Sequence, residues 1–541
     1  MSLTVRYIDT PIGAQESAQV SGNEIQPCGS YSDVTAGVPD IPWATLESGL
    51  WTLDGTRKIL ADNAKHTGWW SKSKSGEDGS FSTPPTIEIT FAEPYTTTAL
   101  TFTFWPSTDQ WCTGLNVAWY KGDALLAETA TYPDGPQWEL EQVVESFDRI
   151  VIQILSINKG NQFAKIQKIQ IGKVYSFGRN EIITVRLLNE VDPSLCELSI
   201  DSLRIEIQNR NGRLLIPQEN QQMEVYRNDN LLAVQYIQES SREATHYYTF
   251  SCQSAIGLLG NDYLGGIYVD VPVETVLAEI MDGRKYILDG VFHDQTVTGY
   301  LPICSRRDAL QQVAFALGAM VTTHGSDAIM LIPVPTTKTS SFDRSTIFPG
   351  AKATNAPRIA KVVLVSHSYT PTVEVKKLLD EEKIDGSDVL VTFDEPYHDY
   401  AITGGVISGS GANWVTITAH GPVSLTGKTY LHSMMHNTRR NPEALASERS
   451  NILTVDEATL VHSGNAQAVL DRLYEAKLLR QTLSHDAIIS GQFAGQRVHS
   501  VNPWGTYTQG YIKSMESTLT QGGHTAQVEI LGTAVTEEEL E

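Results

Sequence analysis

Long apolar runs are missing from the 541 residues: no stretch approaches the ~18 uninterrupted apolar residues that a membrane-spanning helix needs, so stable membrane insertion is not expected. The opening residues, MSLTVRYIDTPIGAQ, alternate apolar and polar side chains and lack a basic stretch followed by an apolar core. That excludes the pattern of a secretory signal and points to folding in a cytoplasm. Cysteine is scarce. Cys28, Cys112, Cys196, Cys252 and Cys304 are odd in number, far apart and without a C-x-x-C pair, so a disulfide framework or zinc knuckle is not expected and each should be a free thiol. Basic charge is also short: 40 Lys plus Arg stand against 63 Asp plus Glu, a formal charge of -23. Sequence-independent binding to DNA phosphates needs a basic surface, and this composition does not supply one.

Catalytic signatures are absent too. There is no G-x-S-x-G, no P-loop and no Gly-rich fingerprint after a strand. In LHSMMHNTRR, His432 and His436 have the spacing of two metal ligands on a helix, but Ser433 stands where a zinc protease needs Glu to activate water. Two strand or loop histidines account for them. In FDEPYHDY, Glu395 and Asp399 lie close to Tyr397 and His398, a grouping that carboxylate catalysis uses but that an ordinary strand-ending turn at Asp-Glu-Pro also produces. No enzyme activity, catalytic residue, metal site or cofactor is expected.

What the chain does have is short alternating strands. Its length exceeds one core, and at ~150 residues per domain it divides into about three or four units. Residues 1–45 read as an N-terminal arm rich in Gly, Ser, Pro and Asp, with a strand-like LTVRYI at its start. Over 46–174 come PTIEITF, TALTFTFW, GLNVAWYKGDALLAETAT, FDRIVIQIL and AKIQKIQIGKV, with a turn at Lys121-Gly122-Asp123, and this pattern predicts a β-sandwich. Trp69, Trp70, Trp105, Trp111 and Trp119 make the unit aromatic. Sugar-binding modules stack such rings on pyranose faces, and buried sandwich cores use the same residues, so Trp69, Trp70 and Trp111 are the candidate sugar or partner contacts. The run LDGTRKIL...GWWSKSKSGEDGSFSTPPTIEITF, followed by WYKGD and IQKIQIGK, resembles the discoidin or galactose-binding-like jelly roll near the N-terminus of some phage tail and baseplate proteins.

Two helices are legible further on. In VPVETVLAEIMDG, Pro272 suits the first turn, Val273, Val276, Leu277 and Ile280 form one stripe, and Gly283 ends it. In SRRDALQQVAFALG, Ser305 is placed to cap with Asp308, Leu310, Val313, Ala314 and Leu317 share a face, and Gly318 closes the helix. A third helix is predicted in NAQAVLDRLYEAKLLRQ, with Ala466, Val469, Leu470 and Leu473 on one side. The opening FGRNEIITVRLLNEVDPSLCELSIDSLRIEIQ and the element GYLP...SRRDALQQVAFALGA are similar to the hub proteins of phage tails. The resemblance implies a mainly β chain with an α/β subdomain: a jelly-roll β-sandwich, then two tail-tube-like β-barrels bridged by helix-bearing insertions. On that reading a first barrel covers 175–265, an α/β bridging subdomain 266–345, a second barrel with a helix 346–533, and an acidic tail 534–541.

The function implied by the resemblance is structural: a hub joining the tail tube to the tip or baseplate and forming part of the DNA conduit. Its implied partners are two further copies in a homotrimer, a tail tube or distal tail protein, the tape-measure protein, and tip, spike or baseplate proteins. DNA would pass without specific binding. The implied location is the virion tail, assembled in the host cytoplasm. The alternative is a carbohydrate-binding or cell-wall-hydrolysing protein, either at a tail tip or secreted.

Overall fold

The computed structural model describes residues 2–11, 13–22, 43, 44, 47, 50, 58, 59, 68–105, 109–210, 212, 213, 215–228, 230–244, 246–502 and 504–539. The chain is mainly β and is organised around one 13-stranded sheet. One half of that sheet runs Val174–Phe177, Leu3–Ile8, Gln222–Arg227, Asn230–Ala244, Tyr247–Gln253, Ser202–Gln208 and Ile182–Glu190 in spatial order. The other half continues through Tyr507–Leu519, His524–Val535, Gln481–Ile488 and Lys352–Asn355, with Arg497–Val501 and Ser340–Phe342 branching from Tyr507–Leu519. The halves meet where Val185 lies opposite Leu519 and, at the other end of the register, Glu190 opposite Ser514. Each half has its own buried cluster, one including Val5, Ile205 and Phe250, the other Leu483, Val498 and Val528.

The strand-like LTVRYI of the arm is a strand within this sheet. Leu3, Val5 and Tyr7 are buried on alternate positions, and the strand pairs with Val174–Phe177 on one side and Gln222–Arg227 on the other. The residues read as an N-terminal arm over 1–45 lie against both units: Gln19–Gly22 likewise pairs with Ile87–Thr90 of the sandwich, so they contribute one strand to each. Period-two burial is the reason, since an exposed strand with one apolar face needs a sheet edge to cover it. Residues 23–42, including Cys28, lie outside the described residues.

Because Ile8 pairs with Val174, the sandwich hangs between two neighbouring strands of the large sheet like an oversized hairpin loop. Its six-stranded sheet faces the pair Trp69–Lys74 and Phe163–Ile166. PTIEITF and TALTFTFW merge into one bent strand, Thr86–Thr103, whose register shifts between Thr90 and Ala99. Where the sandwich meets the large sheet, the buried Asp9 carboxylate accepts hydrogen bonds from Thr98 of the sandwich, from Gln221 Nε2 at 2.8 Å and from Tyr7 at 3.1 Å.

The bridging subdomain packs helices α1 (Val273–Met281) and α2 (Arg306–Leu317) over short strands. Val273, Val276, Leu277 and Ile280 are fully buried, as their stripe predicts. Pro272 sits at the N-cap and not in the first turn, and Asp282, in a left-handed conformation, precedes Gly283 in closing the helix. In α2, Ser305 accepts from the Asp308 N–H and Gly318 closes the helix at φ 81°. Both are stop and start signals that glycine and a short hydroxyl side chain supply at low cost.

The segment read as the second barrel holds more than a barrel. Lys361–Thr392 and Trp414–Arg440 form a long hairpin, supported at its base by α3 (Ala466–Leu478) and Ile452–Val455. Its distal part, with Tyr397–Thr403 and Val406–Ser410, has a separate small core that includes Ile384, Val415, Ile417 and Leu425. The strands of this segment that belong to the 13-stranded sheet flank this insertion in sequence.

Candidate functional site

The tryptophans proposed as sugar or partner contacts are not displayed together. Trp69 is fully buried and Trp70 is 3 % exposed, so both belong to the sandwich interior. Trp70 meets Trp105 edge to face at 5.6 Å and lies under the buried Lys165 ammonium, which pairs with Glu47 at 2.6 Å. Trp69 packs in the main cluster beside Trp119, which faces inward while its neighbour Tyr120 is only half-buried. The reading of Trp69 and Trp70 as ligand platforms is corrected by this burial, because a stacking ring must present a face to solvent. Trp111 is half-buried against the same cluster.

The sequence histidines and carboxylates fall on strands. His432 and His436 share one face of Trp414–Arg440 in an extended conformation, which separates them, and His432 instead meets His367 at 2.9 Å and stacks on Tyr369. No group of three or more His, Cys, Asp or Glu is gathered among the described residues. Glu395 takes hydrogen bonds from Lys376 at 2.7 Å and Tyr397 at 3.0 Å, and these hold its carboxyl below the usual range. Lys428 at 2.9 Å does the same for Asp399. The four described cysteines are free thiols.

The segment around Asp399 nevertheless borders an open cleft of about 720 Å³ between the bridging subdomain and the distal part of the hairpin. One wall is built on YLGG. Gly265 takes φ +65°, and a Cβ there would lie 2.1 Å from the Leu301 carbonyl, so only glycine brings the segment this close. It sets Tyr263 and Tyr268 side by side, where both hydroxyls donate to Glu279 of α1 at 3.0 and 3.4 Å. Burial and that carboxylate push the Tyr268 phenol up to about 12. Arg306 bonds the Ile280 carbonyl at 3.0 Å, pairs with Asp282 at 3.3 Å, and lies over the Tyr263 ring.

The opposite wall carries Tyr397, Tyr400, Trp414 and Tyr430. Tyr400 donates to the carbonyls of Gly411 and Ala412, and the His398 ring meets Tyr430 edge to face at 4.8 Å. Asn413 fastens the walls to each other by donating to the carbonyls of Leu264 at 3.0 Å and Leu301 at 3.1 Å. Sequence reasoning singled out FDEPYHDY but missed Tyr263, Tyr268, Trp414 and Tyr430. The readable signal was a glycine pair between tyrosines in YLGGIY, a close-approach motif flanked by rings.

A second surface concerns the large sheet. On the face of its central strands turned away from the two cores stand Arg186, Leu188, Glu190, Arg204, Glu206, Lys513, Glu516 and Glu529, among Ser, Thr and Gln. Arg204 is paired with Glu206 at 3.3 Å. That face is mixed in sign with an acidic excess.

No family model matches the chain, and no curated protein sequence matches it. Among solved structures it is similar to the tail protein from Neisseria meningitidis MC58, at 10% identity over 66% of this chain and 93% of that one, TM-score 0.42. It is also similar to the 43 kDa tail protein of prophage MuSo2 from Shewanella oneidensis, at 10% identity over 66% and 95%, TM-score 0.40. A family 32 CBM from C. perfringens NanJ, solved in complex with galactose, aligns at 13% identity over 31% of this chain and 99% of that one, TM-score 0.21.

Proposed function

We propose that the chain is a structural component of a phage tail or phage-derived particle: a hub between tail tube and tip or baseplate, acting as a homotrimer around a DNA conduit and not as an enzyme. The observation that carries this reading is the single sheet with two cored halves, joined by the pairing of Ile182–Glu190 with Tyr507–Leu519. Two barrel-like halves per chain let three copies present six similar positions to a sixfold tube, a match of symmetry that a one-barrel chain would need six copies to reach. The hub-like motifs GYLP and SRRDALQQVAFALGA, on the strand Thr296–Leu301 and helix α2, support the reading.

The sheet face described above suits passage of DNA. Every free Lys or Arg facing a duplex adds a phosphate contact with counterion release, and here Arg204 is already paired with Glu206, while Glu190, Glu516 and Glu529 stand against Arg186 and Lys513. The sandwich is then a peripheral module, and tube, tape-measure and tip proteins are the expected neighbours. Gold-labelled antibody against the chain on negatively stained particles tests the placement: label at the tube–tip junction supports it, and particles without label contradict it.

A further inference from the structure

We propose that the cleft between the bridging subdomain and the distal hairpin is a binding site for a neutral saccharide. This goes beyond the hub reading and is independent of it.

The chemistry of the walls selects the ligand. Six aromatic side chains border a volume of about 720 Å³, within the ~300–1,000 Å³ of typical small-ligand sites; Tyr263, Tyr268 and Tyr397 are buried in the walls, while Tyr400, Trp414 and Tyr430 are partly exposed. Anions meet Asp262, Glu279 and Asp399 in the lining, while the one guanidinium, Arg306, is engaged by Asp282 and the end of α1. A cationic ligand meets only the exposed Asp262. Glu279 is taken by two phenols, Asp399 is paired with Lys428, and Arg306 repels. What remains suits a molecule with apolar ring faces and many hydroxyls: rings to stack on and the solvent-exposed Asp262 carboxylate to accept. Tyr430 and Trp414, each only partly buried, supply the stacking surface.

Titration calorimetry on the full chain tests the assignment. The probes are maltotriose, the trimer of N-acetylglucosamine and a neutral galactosyl trisaccharide, against a sialylated trisaccharide and a lysine-rich octapeptide. At least one neutral trisaccharide should bind with a Kd of about 10 µM to 1 mM. Tyr430→Ala and Asp262→Ala should each weaken binding by about tenfold or more, Tyr430→Phe should retain it, and Trp111→Ala in the sandwich should leave it unchanged. Asp262 is exposed, so its variant keeps the test valid if Tyr430→Ala fails to fold. No neutral binder, binding only of the sialylated sugar or the peptide, or binding that survives both cleft variants and is lost in Trp111→Ala would each overturn the proposal.

Discussion

The N-terminal sandwich and the distal part of the Lys361–Arg440 hairpin are both insertions between paired strands, yet they use aromatic residues in opposite ways. The sandwich closes on itself: Trp69, Phe102, Phe104, Trp119 and Phe147 are all fully buried in one cluster. The distal unit has a small aliphatic core with Phe393 and Tyr400 packed against it, and Trp414 and Tyr430 are left partly buried at its seam with the bridging subdomain. An insertion with enough area to bury its own rings becomes an independent module. One without it leaves rings at a joint, which is where the proposed saccharide site lies.

The sharpest way to break this comparison is by deletion. Removing residues 1–172 takes away the strand Leu3–Ile8 and bares the edge of Gln222–Arg227, so the remainder should be insoluble or molten. Excising 11–171 with a short Gly-Ser joint retains the pairing of Ile8 with Val174 and should give a folded, cooperative chain. Circular dichroism and size-exclusion profiles of the two products check this, and equal behaviour would show that the strand is dispensable.

Single substitutions come next. Trp69→Ala should destabilise the sandwich by about 3–5 kcal/mol, because a fully buried indole leaves a cavity. Tyr430→Ala, at the seam, should cost less than about 1 kcal/mol. Denaturant melts of both variants measure the gap. A pH effect of about 3 kcal/mol is expected from Asp201, whose carboxyl burial pushes up to about 6 from 3.8. Its folded-state pKa is raised, so its contribution is complete below about pH 4 and is lost as pH rises through about 6. His324 and His524, held down to about 4 by burial, act the other way: their contribution is present above about 6.5 and is lost as pH falls through about 4. Asp201→Asn should therefore remove the part of the stability change that favours acid, leaving a chain that loses stability more steeply on acidification. The smallest effect is expected from Glu395→Gln. Its pair with Lys376 is solvent-exposed, and its loss should change stability by less than about 0.5 kcal/mol.

Much of this architecture is legible in the sequence where the determinants are local. Period-two runs located the strands, the Val273 and Leu310 stripes located both bridging helices, and Ser305 with Gly318 fixed the bounds of α2. Local pattern cannot say which strand a strand pairs with. LTVRYI therefore read as part of an arm although its partners are Tyr175 and Val225, some 170 and 220 positions away. The distal unit was hidden for a related reason, since its strands continue without a break from those of the hairpin base. The cleft was half legible: FDEPYHDY stood out by composition, while the opposing YLGGIY wall is brought to it only by the fold.

The most direct test of the hub account is a reconstruction of the assembled particle that resolves this chain. The account predicts three copies in a ring, with the two halves of each 13-stranded sheet at alternate sixfold positions around a channel whose lining is acidic to neutral. Five or six copies in the ring, or a channel lined mainly by Lys and Arg, would contradict it.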